Sequence, residues 1–148
     1  PGLGRCDLPA VYRELVAAPE AWAAPATKFK SPFEWVVSGL RALGLRELPA
    51  QQAVNLLNPL GQPVWRPGSP AGWDDTVATW AAPDALLRRV EVAQRLAARA
   101  GSSVDARSLA PLVLPGVLGR DTAGAIERAE SAGSALALLL VSPEFLRR

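Results

Sequence analysis

Along most of this chain apolar residues recur three and four positions apart, the spacing that lines one face of a helix, and the runs are divided by proline and glycine. Asp7-Leu8-Pro9 reads as a cap with proline in the first turn, and Val11, Leu15 and Val16 follow at helical spacing up to Pro19. Ser31-Pro32-Phe33-Glu34 is the strongest start signal. Serine caps, proline is preset for the first turn, and glutamate three residues on closes a capping box. Phe33, Val36, Val37, Leu40 and Leu43 then form a stripe expected to face the core, with Gly44 as the stop. Pro49 to Asn58 reads as a third helix with Ala53, Val54 and Leu57 inward.

In the second half, Asp74 or Asp75 is placed to cap a short helix through Trp80, and Pro83 opens the longest segment, which runs to Ala100 and stops at Gly101. Its expected inner face is Leu86, Val90, Ala93, Leu96 and Ala97. Asp84 with Arg88, and Glu91 with Arg95, stand four apart with the acid first, the arrangement of surface ion pairs. Asp105 to Leu114 is a weaker helix interrupted or kinked at Pro111, and Asp121 to Ala132 begins with an acidic cap and ends at Gly133. Ser134 to Val141 is apolar all round, which predicts the buried central helix, ended by Ser142-Pro143.

Residues 59–73 break the pattern. Pro59, Gly61, Pro63, Pro67, Gly68, Pro70 and Gly72 are too many breakers for a helix or a central strand. Val64, Trp65 and Trp73 argue for an ordered loop, because linkers are poor in large apolar groups. Alanine, leucine and arginine dominate elsewhere and β-branched residues are sparse, so propensity adds to periodicity. The expected fold is all-α, a compact domain of about six to eight short helices carrying one long Pro/Gly/Trp-rich loop. At 148 residues a single domain over 1–148 is expected.

Composition removes more functions than it suggests. With no histidine, this chain by itself holds no Ser-His-Asp or Cys-His relay, no histidine metal ligand and no histidine pH switch. A lone Cys6 near the start makes neither an internal disulfide nor a cysteine metal site, so no metal and no cofactor are expected. The net charge of +2 is even along the chain, 7 basic against 6 acidic residues in 1–74 and 9 against 8 in 75–148. That is no footprint for nucleic acid, and an isoelectric point near 9.2 follows from two surplus cations without histidine. The most apolar run, Ala135 to Val141, is far short of the ~20 residues a membrane span needs. The numbering starts at Pro1 and contains no methionine, which suggests a processed product or an excised piece.

Four groups of residues are candidates for chemistry. Trp65 and Trp73 can form a platform for a sugar, a peptide or another flat ligand, with Gln62 and Arg66 orienting it by hydrogen bonds. The competing reading has the same indoles plugging gaps between helices, and it is the more economical, since a long loop on a small domain must bury something to stay ordered. Asp74 and Asp75, with Glu34 or Glu47 nearby, are the one candidate for acid–base work or a hard cation, against the plainer reading of a helix cap and a solvated neighbour. Lys28 and Lys30 flank Phe29 ahead of the capping box, an anion site or a solvated turn. Arg88 and Arg89 suggest a phosphate contact, but Arg88 has Asp84 as a partner and Arg89 alone does not make such a site.

Several phrases taken together resemble a known family. Lys28-Phe29-Lys30-Ser31-Pro32-Phe33-Glu34-Trp35-Val36-Val37, Arg41-Ala42-Leu43-Gly44, Leu60-Gly61-Gln62-Pro63, Pro70-Ala71-Gly72-Trp73, Trp80 with Leu86-Leu87-x-Arg89, and Ser142-Pro143-Glu144-Phe145 are similar, in order and spacing, to the C-terminal part of the bacterial domain-of-unknown-function family 1800. The sequence departs from the family pattern at Val64-Trp65, where an aromatic often follows directly, and at the two acids after Trp73. The resemblance implies a mostly helical, often exported protein, here the C-terminal portion of a longer chain whose missing N-terminal portion is the first partner. It also implies envelope or extracellular-polymer handling, with a polysaccharide or an envelope protein as further partner.

Two functions follow as expectations. The first is a non-catalytic helical structural or binding portion of an exported bacterial protein, with no activity of this chain alone; a protein-interaction module using exposed tryptophans is a variant of it. The alternative is part of an enzyme site acting on an extracellular polymer, with Asp74 or Asp75 as acid, base or ion ligand and Trp65 and Trp73 as platform.

Overall fold

Side-chain oxygens and prolines set the helix starts in the computed structural model, which describes residues 7–22 and 28–148. Helix α1 (Leu8–Ala17) begins where Asp7 accepts the Ala10 N–H at 3.2 Å. Helix α2 (Pro32–Ala42) has both halves of the capping box, Glu34 N–H to Ser31 Oγ and Ser31 N–H to Glu34 Oε2. Helix α3 (Ala50–Leu57) follows Pro49, α4 (Val77–Trp80) is capped by Thr76, and α5 (Pro83–Ala100) opens on proline. Helices α6 (Ala106–Val113) and α8 (Ala132–Leu140) are capped by Asp105 and Ser131, and α7 (Arg120–Glu127) lies between them. Short 3-10 turns occupy Pro19–Trp22 and Gly101–Ser103. The fold is all-α, and among the described residues the only extended pairing is an antiparallel bridge between Phe29 and Arg147.

Helix α8 is the centre, as its apolar run predicts. Ala135, Leu136, Leu139 and Leu140 are fully buried, and α5, α6 and α7 pack around them. Each such leucine removed from water contributes about 1.5–3 kcal/mol. Leu138 alone of the run faces outward. The Trp35 indole crosses from α2 and donates its N–H to the Leu140 carbonyl at 2.8 Å, which joins α2 to the last turn of α8.

Several boundaries and faces differ from expectation. Helix α7 ends at Glu127 and α8 begins at Ala132, because Ser131 takes the cap and Gly133 falls inside the helix instead of stopping one. The α4 cap is Thr76, not Asp74 or Asp75. Pro111 stands within α6 without ending it, since a residue so near the end forfeits one hydrogen bond, to the Arg107 carbonyl. On α2 the burial is turned by one position, with Trp35 fully buried and Phe33 55% exposed. On α5 the inward residues are Arg89, Val92, Ala93, Leu96, Ala97 and Ala100, while Val90 faces solvent. Helix α1 buries none of its residues, Val11, Leu15 and Val16 included. Cys6 lies outside the described residues.

Candidate functional site

The loop after α3 is ordered by contacts at its root. Leu60 is buried, and the Leu57 carbonyl accepts the N–H groups of both Leu60 and Gln62, at 3.1 and 3.2 Å. Gln62 then turns its side chain to α2, where Oε1 accepts the Phe33 N–H at 2.7 Å, one of the amide groups left open at the start of that helix. The Gln62 side chain, expected to orient a ligand, therefore fixes the loop to the body.

Beyond Gln62 the chain turns at Pro63-Val64-Trp65-Arg66, closed by Arg66 N–H to the Pro63 carbonyl at 3.4 Å. Trp65 sits at φ 56°, the one described non-glycine residue in the left-handed region. An L-residue there costs about 1–2 kcal/mol. No burial offsets that cost, because the Trp65 indole is 95% exposed. Reading Trp65 as a plug between helices is thereby corrected: the turn directs the indole outward. A small hollow of about 230 Å³ lies beneath it, walled by Phe33, Leu57, Pro63, Val64 and Trp73. Arg66 is exposed and has no side-chain partner among the described residues.

Trp73 behaves differently. It is half-buried against the core and its ring is tilted at 54° to that of Trp80, 6.3 Å away. Trp80 is 4% exposed and donates its indole N–H to the Asp74 carbonyl at 2.8 Å, so one buried side chain supports both the indole and the backbone of the next residue. Trp73 is also a wall of a second, open groove of about 640 Å³, bounded by Asn58, Gly68, Asp74, Asp84 and Arg88.

The acid pair is divided between two surroundings. Asp75 pairs with Lys28 at 2.5 Å, on the surface, whereas Asp74 lines the groove and makes a long 3.5 Å contact with the Thr79 hydroxyl. Glu34 is engaged in the capping box and with Arg148 at 2.6 Å. Burial raises its carboxyl, but the Ser31 N–H and Arg148 outweigh that and hold it below the ordinary carboxylate range. Glu47 is exposed, with no hydrogen bond to it among the described residues. No group of three or more metal-ligating side chains occurs among the described residues, and none of the described helices is long and apolar enough to cross a membrane.

The lysines next to the capping box are also engaged. Lys30 donates to the Phe145 carbonyl at 2.7 Å and lies 4.3 Å over that ring, and burial lowers its pKa despite the nearby Glu34. With the Phe33 N–H taken by Gln62 and the Glu34 N–H by Ser31, an anion finds no open donors at this turn. Arg89 is 1% exposed and stacks on Phe29 and Trp35 at 4.8 and 5.5 Å. One of its nitrogens donates to the Lys30 carbonyl at 2.8 Å, the other has no partner among the described residues, and burial pulls its pKa down to about 10. A cation held this way joins α5 to the segment 28–30 and does not reach a phosphate.

Asp84 and Arg88 are expected from the sequence to satisfy each other as a helix-surface pair. Their spacing reads as an internal pair, yet no ion pair joins them, and both line the groove instead.

The chain matches the model of a family described as protein of unknown function (DUF1800) over residues 3–147, and it belongs to that family. No curated protein and no solved structure matches it.

Proposed function

We propose that this chain is a non-catalytic binding portion of an exported bacterial protein, and that its contact surface is the Pro/Gly/Trp loop with Trp65 at the tip. The observation that carries this reading is the conformation of Trp65: an exposed indole in left-handed backbone, above an apolar hollow, is held at a cost the fold itself does not recover. Arg66 stands beside it as a donor, and Gln62 acts from behind by fixing the loop. The absence of histidine and the use of Asp75 and Glu34 in ion pairs support a binding role over a catalytic one.

The alternative, part of an enzyme site acting on an extracellular polymer, is favoured by one observation, that Asp74 lines an open groove together with Asp84. Two measurements separate the readings. Trp65→Ala should leave stability unchanged or higher, and the purified chain should not turn over chromogenic glycosides, esters or sulfates. A loss of more than about 1 kcal/mol in Trp65→Ala would make the indole structural, given that surface substitutions stay within about 0.5 kcal/mol. Turnover abolished by Asp74→Ala would establish the alternative.

A further inference from the structure

The hollow at Trp65 and the groove bounded by Asp74, Asp84 and Arg88 share a wall, Trp73. The groove falls within the size range of small-molecule sites, about 300–1,000 Å³. It is open to solvent, so a ligand larger than the groove can lie partly outside it.

Its chemistry narrows the class. Asp74 and Asp84 only accept hydrogen bonds, Arg88 only donates them, and the Asn58 amide does both. A phosphate or sulfate would satisfy Arg88 and be repelled by two carboxylates; an ammonium would satisfy the carboxylates and be repelled by Arg88. A hydroxyl donates and accepts, so neighbouring hydroxyls on one ring satisfy both kinds of group at once. Such a ring also has a C–H face, and the Trp73 indole, fixed by Trp80, offers it a flat apolar surface. An extended peptide is less suited, because no strand borders the groove among the described residues to supply a ladder of backbone hydrogen bonds.

Gly68 adds an independent sign. Its φ is not in the left-handed region, and a Cβ built there would meet nothing within 4 Å, so the fold does not need glycine at this position. A bare backbone on a groove wall permits the close approach of a ligand.

We infer that the groove between the loop and the start of α5 binds an uncharged oligosaccharide, with Trp73 beneath a sugar ring and Asp74, Asp84, Arg88 and Asn58 on its hydroxyls. This rests on the loop being a binding surface, and it names the ligand class. The test is a fluorescence titration of the full chain with neutral hexasaccharides of β-linked glucose, N-acetylglucosamine, mannose and xylose, and with a galacturonate hexasaccharide as the anionic arm. At least one neutral hexasaccharide should bind with Kd of about 1 mM or tighter. Asp84→Ala, Arg88→Ala and Gly68→Leu should each weaken it at least about tenfold, a loss of 1.4 kcal/mol, with far-UV circular dichroism unchanged. Binding of the anionic sugar alone, no binding of any neutral one, or binding unmoved by these folded variants would overturn the inference. A silent titration beside an unchanged Trp65→Ala stability leaves the binding role standing and removes only the sugar, whereas a destabilised Trp65→Ala removes the binding role itself.

Discussion

Gln62 Oε1 accepts the Phe33 N–H at 2.7 Å, across twenty-nine positions of sequence, and this bond holds the loop that displays Trp65 against the start of α2. A neutral amide here does the work of a helix cap. Gln62→Ala should therefore lower stability by about 0.5–2 kcal/mol, the usual cost of a lost cap. Gln62→Glu keeps the acceptor and adds a negative charge at the positive end of α2, and should restore or exceed parental stability. Urea unfolding of the three chains decides it; equal stability in all three would show that the bond does not hold the loop.

Trp65→Gly should not destabilise the protein. It relieves about 1–2 kcal/mol of left-handed strain and gives back about 0.4–1 kcal/mol through the looser unfolded chain. The expected thermal midpoint is equal to or above that of the parent. A clear fall would mean that the indole packs on something the fold needs.

Among the described glycines, Gly119 leaves the least room for a Cβ, and Glu144 is what fills the space. Glu144 accepts from the Gly119 N–H at 3.0 Å and from Thr122 Oγ1 at 2.8 Å, which ties the start of α7 to the C-terminal turn; α7 follows Gly119 without a side-chain cap, and the expected cap Asp121 lies inside its first turn. A Cβ on Gly119 would come within 2.4 Å of Glu144 Oε1. Gly119→Ala should destabilise, and less so when Glu144→Ala is present, because the clash is then gone; a double-mutant cycle measures the difference.

The same carboxylate predicts a pH dependence. Burial raises the Glu144 carboxyl, but its hydrogen bonds with its own backbone, Thr122, Gly119 and Ser142 outweigh that and leave it below 4.5, and Glu34 is lowered in the same way. A carboxyl lower in the folded than in the unfolded chain contributes stability that is complete above the unfolded value and is lost as pH falls through the folded one. Stability should thus decline from about pH 4.5 downward. Glu144→Gln should have a shallower decline, and an unchanged slope would contradict the assignment.

Arg89 should resist exchange for lysine. The guanidinium spreads its charge over Phe29 and Trp35 and reaches the Lys30 carbonyl, whereas an ammonium is compact and strongly hydrated. Arg89→Met should retain more stability than Arg89→Lys. A lysine variant as stable as the parent would show that stacking contributes little.

Much of the fold could be read from the sequence because its signals are local. The capping box at Ser31 and Glu34, the prolines at Leu8-Pro9 and Pro83, and the apolar run ending at Val141 each act within one or two turns of helix. The failures were tertiary. Phe33 and Trp35 differ by two positions, and periodicity cannot tell which faces inward when the Leu140 carbonyl, on a distant helix, supplies the partner for the indole. Arg89 is absent from the expected inner face of α5 because nothing nearby in sequence announces the rings of Phe29 and Trp35. In the candidate site, Trp65, Trp73 and Asp74 were visible as an unusual composition. Asp84 and Arg88 read instead as a surface pair, since the spacing that makes a helix pair also places two side chains on one groove wall.

Acrylamide quenching of tryptophan fluorescence tests the central claim most directly, with Trp65→Phe and Trp80→Phe compared against the parent. Trp65→Phe should remove a large, freely quenched component, and Trp80→Phe a shielded one. If Trp65→Phe leaves the quenching slope unchanged in a folded chain, the indole is not displayed to solvent and the loop is not the binding surface.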